Sequence, residues 1–126
     1  DGAIVRSEPE QSLGRALSES AAQKATELMK GVAYMKRGTG HKAKIDGFSV
    51  AVKTGTAQKP VPGKGYTERR YIASIVGYAP ASDPRVAVVV VVDEPKSSIW
   101  GASVAAPVFK DVVEFALRNL NAAPDL

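Results

Sequence analysis

Two stretches of this chain carry apolar residues at helical spacing, and three stretches between them are strand-like. Ala25, Leu28, Met29, Val32 and Met35 recur at intervals of three and four and predict a helix over about 20–35. Ser20-Ala21-Ala22-Gln23 has the form of a capping box, with Ser20 as the cap and Gln23 reaching back. The Met and Leu stripe of this helix is expected to face a core. Gly38 and Gly40 stop it. Strands are predicted over 48–56, 71–78 and 85–93. Lys59-Pro60-Val61-Pro62-Gly63-Lys64-Gly65 is a loop by composition, and residues 79–84 are too few for a helical crossover. The second and third strands should therefore be antiparallel neighbours. The unbroken run Val86-Ala87-Val88-Val89-Val90-Val91-Val92 reads as a strand covered on both faces. A last helix begins near Pro107, a residue suited to a first helical turn. Phe109, Val112, Val113, Ala116 and Leu120 form its stripe, with Lys110, Asp111, Glu114 and Arg118 facing out. Residues 1–17 look irregular, with a turn near Ser7-Glu8-Pro9. Helix, three strands and helix give an α+β fold: an antiparallel sheet with packed helices.

Composition adds limits. With 126 residues the chain suits one domain, and its 44% hydrophobic and 24% charged residues are those of a globular chain. No apolar run approaches the roughly 18 residues of a membrane span, and Asp1-Gly2-Ala3-Ile4-Val5-Arg6 lacks the basic start and apolar core of a signal peptide. With no cysteine, disulfides, thiolate metal sites and cysteine nucleophiles are excluded. The net charge of +4 is uneven: residues 36–70 hold nine Lys/Arg against two acids. Such a strip suits a phosphate or carboxylate ligand, or simply a solvated loop face. Phe48 and Tyr66 are the aromatics amid it and no recognition-helix or RNA motif accompanies it, so nucleic acid is not expected as a partner.

Several chemistries fall away. A single histidine, His41, cannot make a multi-histidine metal site, and no serine motif lies near it to build a triad. Gly101-Ala102-Ser103-Val104-Ala105 lacks the second glycine of a nucleophile elbow, which makes Ser103 a turn or helix-start residue. No phosphate-cradling loop is present, and no pair of carboxylates stands out as a general acid and base.

The first strand ends differently from the others. Its apolar run stops on Lys53-Thr54-Gly55-Thr56. A lysine at a strand end supplies a compact positive charge and three donors. Gly55 lets a ligand lie against the backbone. Thr54 and Thr56 offer hydroxyls to a carboxylate, and an edge-strand N–H can form half of an oxyanion hole. These parts suit a carboxylate-bearing acyl substrate lying along the strand. Lys-Thr-Gly is also one of three elements of the penicillin-recognising serine enzymes, beside S-x-x-K and S-x-N or S-D-N.

The wider context is specific. The blocks Gly38-Thr39-Gly40, Ile45 to Gln58, Tyr71 to Arg85, Val88 to Pro95, Trp100-Gly101 and Ala105 to Phe109 follow one another in the order found in class B penicillin-binding proteins. The chain resembles that family over residues 30–126, and above all its cell-division D,D-transpeptidases. The resemblance implies a β-lactamase/transpeptidase-like fold. It implies that Lys53 helps proton movement and carboxylate binding beside a nucleophilic serine, and that Thr54 and Thr56 bind the carboxylate of a stem peptide or β-lactam. The Thr56 N–H would join the oxyanion hole. Tyr71 and Trp100 stand where related enzymes line the site with aromatics. Ile99 replaces the first member of a common aromatic pair, and Gly101-Ala102 departs from the usual Gly-Gly.

No serine in the chain has lysine three places on, and none begins S-x-N. The chain is therefore expected to be the C-terminal part of a transpeptidase domain over 1–126, not acylated by penicillin on its own. The resemblance implies no cofactor or metal. It implies peptidoglycan stem peptides, β-lactams, the rest of the same domain and divisome proteins as partners, outside the cytoplasmic membrane on an N-terminal anchor. A serine β-lactamase fragment and a non-catalytic penicillin-sensing or protein-binding module are the other readings.

Overall fold

The computed structural model describes residues 9, 11–12, 14–66 and 69–126; the turn expected near Ser7-Glu8-Pro9 lies outside these. The elements run α1 (Glu19–Tyr34), a single 3-10 turn (His41–Ala43), β1 (Ala51–Gln58), β2 (Tyr71–Ala79), β3 (Val86–Asp93), α2 (Gly101–Val104) and α3 (Ala106–Asn119). The strands form one antiparallel sheet in the order β1-β2-β3. The α+β architecture and the β2–β3 pairing are as expected from the sequence. β1 begins later and runs further than the 48–56 expected, because Phe48 forms an isolated bridge with Ile45 instead of joining the ladder.

α1 starts one residue early. Ser18, not Ser20, is the cap: its backbone is extended and its Oγ accepts the Ala21 N–H at 3.2 Å. Ser20 lies in the first helical turn. The stripe expected to be core is only partly covered, with Ala25, Met29 and Val32 half-buried. Only Ala33 of this helix is buried, while Leu28 is 76% and Met35 68% exposed. Val32 alone of the stripe packs against the core cluster. The helix touches the sheet through Val32, Ala33 and a Thr26–Tyr78 hydroxyl contact (2.7 Å); Ala25 and Met29 are half-buried, and Leu28 and Met35 face outward. Near its end the Tyr34 hydroxyl donates to Phe48 O and accepts from the Val50 N–H. Burial pushes that hydroxyl's pKa up, although the Val50 contact opposes it.

α3 lies on one face of the sheet. Ala106, Phe109, Val113 and Leu117 are buried along it. Val112 and Leu120, expected in the stripe, are partly exposed, because the buried line runs in steps of four from Phe109 through Leu117. Val50, Val52 and Ile75 complete the centre of the core with Phe109, Val113 and Leu117. Gly77 is required there: a Cβ would meet Ala51 O at 2.5 Å and Phe109 Cζ at 3.1 Å.

β3 is not covered on both faces. Its burial alternates, with Val86, Val88, Val90 and Val92 on the α3 side and Val89 and Val91 (64% and 59%) exposed. Both helices expected from the sequence form, but α1 reaches only the Tyr78 end of the second face.

The chain end is stitched to the segment leading into β1. The Asp125 carboxylate accepts from Ser49 N–H, Ser49 Oγ and Ser82 Oγ, and the Asp125 and Leu126 N–H groups donate to Gly47 O. Ser49, the buried polar residue among those described, also accepts the Ala81 N–H at 2.9 Å. Burial disfavours the Asp125 charge, but the Ser49 and Ser82 contacts outweigh it and hold the carboxyl below its ordinary 3.8. Its contribution is therefore full above that value and is lost as pH falls through the lower folded value. Asp125→Asn should lower stability near neutral pH by about 1 kcal/mol, the scale of charge-assisted bonds at a solvent-facing group. Melting curves of wild type and variant should converge in acid; a pH-independent gap would remove the carboxylate from the account.

Candidate active site

β1 is an edge strand, and its register divides the Lys-Thr-Gly-Thr stretch between two faces. Thr54 and Thr56 oppose Ile75 and Ala73 on the α3 side. Lys53 and Gly55 oppose Val76 and Ser74 on the other. The apolar run ends at Val52 because Val52 is the last β1 residue inside the core.

Each side chain has a definite neighbour. Lys53 is exposed, and its Nζ donates to Thr54 O at 2.7 Å. The Thr54 hydroxyl lies 2.7 Å from that of Thr39. Thr56 Oγ1 donates to Ile99 O at 3.3 Å, which draws the segment before α2 against the strand and sets Trp100, 61% exposed, at its end. A Cβ on Gly55 would fall 2.6 Å from Ser74 Oγ, so the neighbouring strand's serine fills the space a side chain would need. Gly101 is tighter: a Cβ there would lie 2.1 Å from Ser74 O and 2.8 Å from Gly55 O. The first turn of α2 therefore rests directly on the backbones of β1 and β2. Tyr71 is half-buried and opposes Gln58, on the same face as Thr54 and Thr56 but beyond them. All six residues singled out in the sequence thus lie on β1 or on segments joined to its C-terminal half.

Two features had no strong sequence signal. One is Thr39, visible only as the middle of Gly38-Thr39-Gly40. The other is a charge cluster at the sheet end. Lys59 Nζ reaches Asp93 at 2.7 Å and Glu94 at 2.8 Å, and Arg70 also pairs with Glu94. Arg70 and Lys59 hold the Glu94 carboxyl down to about 2. Lys44 sits 5.2 Å from the Tyr34 ring centre. Three members of the basic strip are therefore engaged within the fold. A hollow of about 920 Å³ lined by Leu17, Thr26, Met29, Tyr78 and Ala87 is mostly apolar, and its lining includes none of Lys53-Thr54-Gly55-Thr56.

Residues 2–114 match the model of the penicillin binding protein transpeptidase domain. The chain belongs to that family. It is 42% identical over 111 residues to the probable peptidoglycan D,D-transpeptidase PenA of Neisseria flavescens, covering 87% of this chain and 27% of that protein. It is 42% identical over 112 residues to the peptidoglycan D,D-transpeptidase FtsI of Escherichia coli K12, covering 88% of this chain and 19% of that protein. The apo transpeptidase domain of Burkholderia pseudomallei penicillin-binding protein 3 superposes with a TM-score of 0.78 at 38% identity, covering 90% of this chain and 34% of that one. The fold is thus that of the transpeptidase domains, as the motif order implied. The chain spans about a fifth to a quarter of these curated relatives and about a third of that solved domain.

The glycine contacts give a direct test of the packing. Gly101→Ala should destabilise by about 1–3 kcal/mol, because the new methyl meets fixed backbone. Gly31→Ala meets only the flexible Met35 thioether and should be neutral or stabilise by up to about 1 kcal/mol. Thermal unfolding of the two variants should move in opposite directions or by clearly different amounts. Equal shifts would contradict the seating of α2 on the strands.

Proposed function

We propose that this chain is the C-terminal part of a peptidoglycan D,D-transpeptidase domain and carries the substrate-binding edge of its active site. The observation that supports this best is the edge strand itself. Two threonine hydroxyls lie on one face and the lysine side chain springs from the other, its ammonium reaching Thr54 O, with Trp100 drawn to the strand's end by the Thr56–Ile99 bond. A peptide carboxylate lying along that edge meets Lys53, Thr54 and Thr56 together.

In this reading the nucleophilic serine and its S-x-x-K and S-x-N partners come from the part of the domain outside residues 1–126. The serine oxygen attacks the carbonyl carbon of the penultimate D-Ala and its proton passes to a neighbouring base. The tetrahedral oxyanion is held by N–H groups, that of Thr56 among them. The C–N bond breaks, D-Ala leaves with a proton, and an amine of a second stem peptide takes the acyl group. Lys53 attracts the donor carboxylate and aids proton movement, while Tyr71 and Trp100 line the peptide's path. A β-lactam enters by the same attack, but its leaving nitrogen stays tethered, so the acyl-enzyme persists.

The bare face of the sheet agrees with this placement. Val76, Val89 and Val91 are exposed beside Lys53 on the side that α3 does not cover. The remainder of the domain, bearing the serine, sits on that face. The intact protein works at the outer face of the cytoplasmic membrane on an N-terminal anchor, with divisome proteins as partners.

In the complete protein Lys53→Ala should slow acylation by fluorescent penicillin far more than tenfold while leaving the melting temperature nearly unchanged. An unchanged rate would sink the assignment. Rapid turnover of the penicilloyl adduct would instead favour a serine β-lactamase, and no adduct at all a non-catalytic module.

A further inference from the structure

Gly38-Thr39-Gly40 crosses from the end of α1 to β1 as a tripeptide with room for one side chain. A Cβ on Gly38 would fall 2.2 Å from Val32 O, and one on Gly40 would fall 2.7 Å from Val52 Cγ2. The turn is pinned by bonds from Gly38 N–H to Met35 O and from Gly40 N–H to Val32 O, both 2.8 Å. Both glycines are pressed against fixed atoms of the core and helix. The side chain between them ends 2.7 Å from the Thr54 hydroxyl. Lys53 Nζ also donates to the Thr54 carbonyl.

We infer that Thr39 is a positioning residue for the Thr54 hydroxyl, setting its proton toward the substrate carboxylate. The inference rests on the function proposed above. A hydroxyl carries one proton and two lone pairs. With no anion present, either threonine can donate to the other. Once a carboxylate lies along β1, Thr54 donates to it, and Thr39 donates into a Thr54 lone pair. The two O–H groups then point the same way, and each polarises the next. Without the Thr39 hydroxyl, Thr54 keeps its proton but loses the donor that orients it. Arrival of the carboxylate suffers more than the bond-making step.

The experiment uses the complete protein and two probes, a penicillin with its free carboxylate and the methyl ester of the same penicillin. Thr39→Val keeps the branched shape and removes the hydroxyl; Thr39→Ser keeps the hydroxyl. For the free acid, Thr39→Val should lower the second-order acylation rate about three- to tenfold, through weaker initial binding rather than a slower limiting rate. Thr39→Ser should restore most of it. For the ester, the ratio of Thr39→Val to wild type should be close to one. A Thr39→Val rate equal to wild type on the free acid overturns the inference and leaves the transpeptidase reading standing. An equal loss on acid and ester, or no rescue by serine, also overturns it, because a mere packing role has that signature. A wild-type protein that penicillin does not acylate overturns the function and this inference together.

Discussion

The side chain of Val52 fills two places where a Cβ would otherwise be. Its Cγ2 sits 2.7 Å from the Cβ position of Gly40 and its Cγ1 sits 2.6 Å from that of Gly77. One valine thereby fixes the height of the loop leaving α1 and the depth at which Phe109 seats on β2. The same close approach recurs one turn along, where Gly101 rests on the carbonyls of Gly55 and Ser74. β1 is clamped by α1's exit, by β2 and by α2 at successive residues. These contacts are backbone-close, so small side-chain adjustments cannot absorb an added methyl. The polar residues that follow Val52 inherit a fixed position from it.

The sheet is finished on one face and open on the other. Phe109, Val113 and Leu117 bury the even-numbered valines of β3, whereas Val76, Val89 and Val91 have no helix over them. α1 shows the same incompleteness, with Leu28 and Met35 turned outward. Apolar area on this scale, on a sheet face and a helix flank together, marks a surface that meets another body. The chain spans about a third of the length of a solved transpeptidase domain that it resembles.

Much of this was legible in the sequence because it is local. The period of α3, the three strands and the tight β2–β3 connection are all set by neighbours in the chain, while Lys-Thr-Gly-Thr, expected to end its strand, lies inside β1. What escaped depends on distance. The run Val86 to Val92 contains no polar residue to mark its bare side, and only Asp93 at the strand's end does, so the sequence reads as a strand covered on both faces. Ser18 and Ser20 both precede good helix formers, and the choice between them turned on which had extended backbone. The charge cluster joins Lys59 and Arg70 to Asp93 and Glu94 across the sheet. Nothing in their separate surroundings announces it. Thr39 carries no signal of its own between its two glycines, since its contact lies fifteen residues away.

Division of Lys53-Thr54-Gly55-Thr56 between two faces constrains how a ligand of the proposed site would lie. In a strand, side chains two apart share a face and adjacent ones do not. Lys53 and Thr54 therefore cannot both meet a group placed above or below the sheet. They converge only at the free edge of β1, where a long lysine can curl round the backbone. The Lys53 contact with Thr54 O shows that its ammonium already reaches that edge. A ligand held there runs parallel to the strand, within reach of backbone N–H groups as well as both side-chain types. An acyl carbonyl and a carboxylate on one peptide are separated by a few bonds along the chain. Such a ligand can place its carboxylate at the hydroxyls and its carbonyl at an N–H at the same time. An interior strand could not offer this, because its backbone groups are spent on neighbours; the proposed binding mode needs β1 to be outermost.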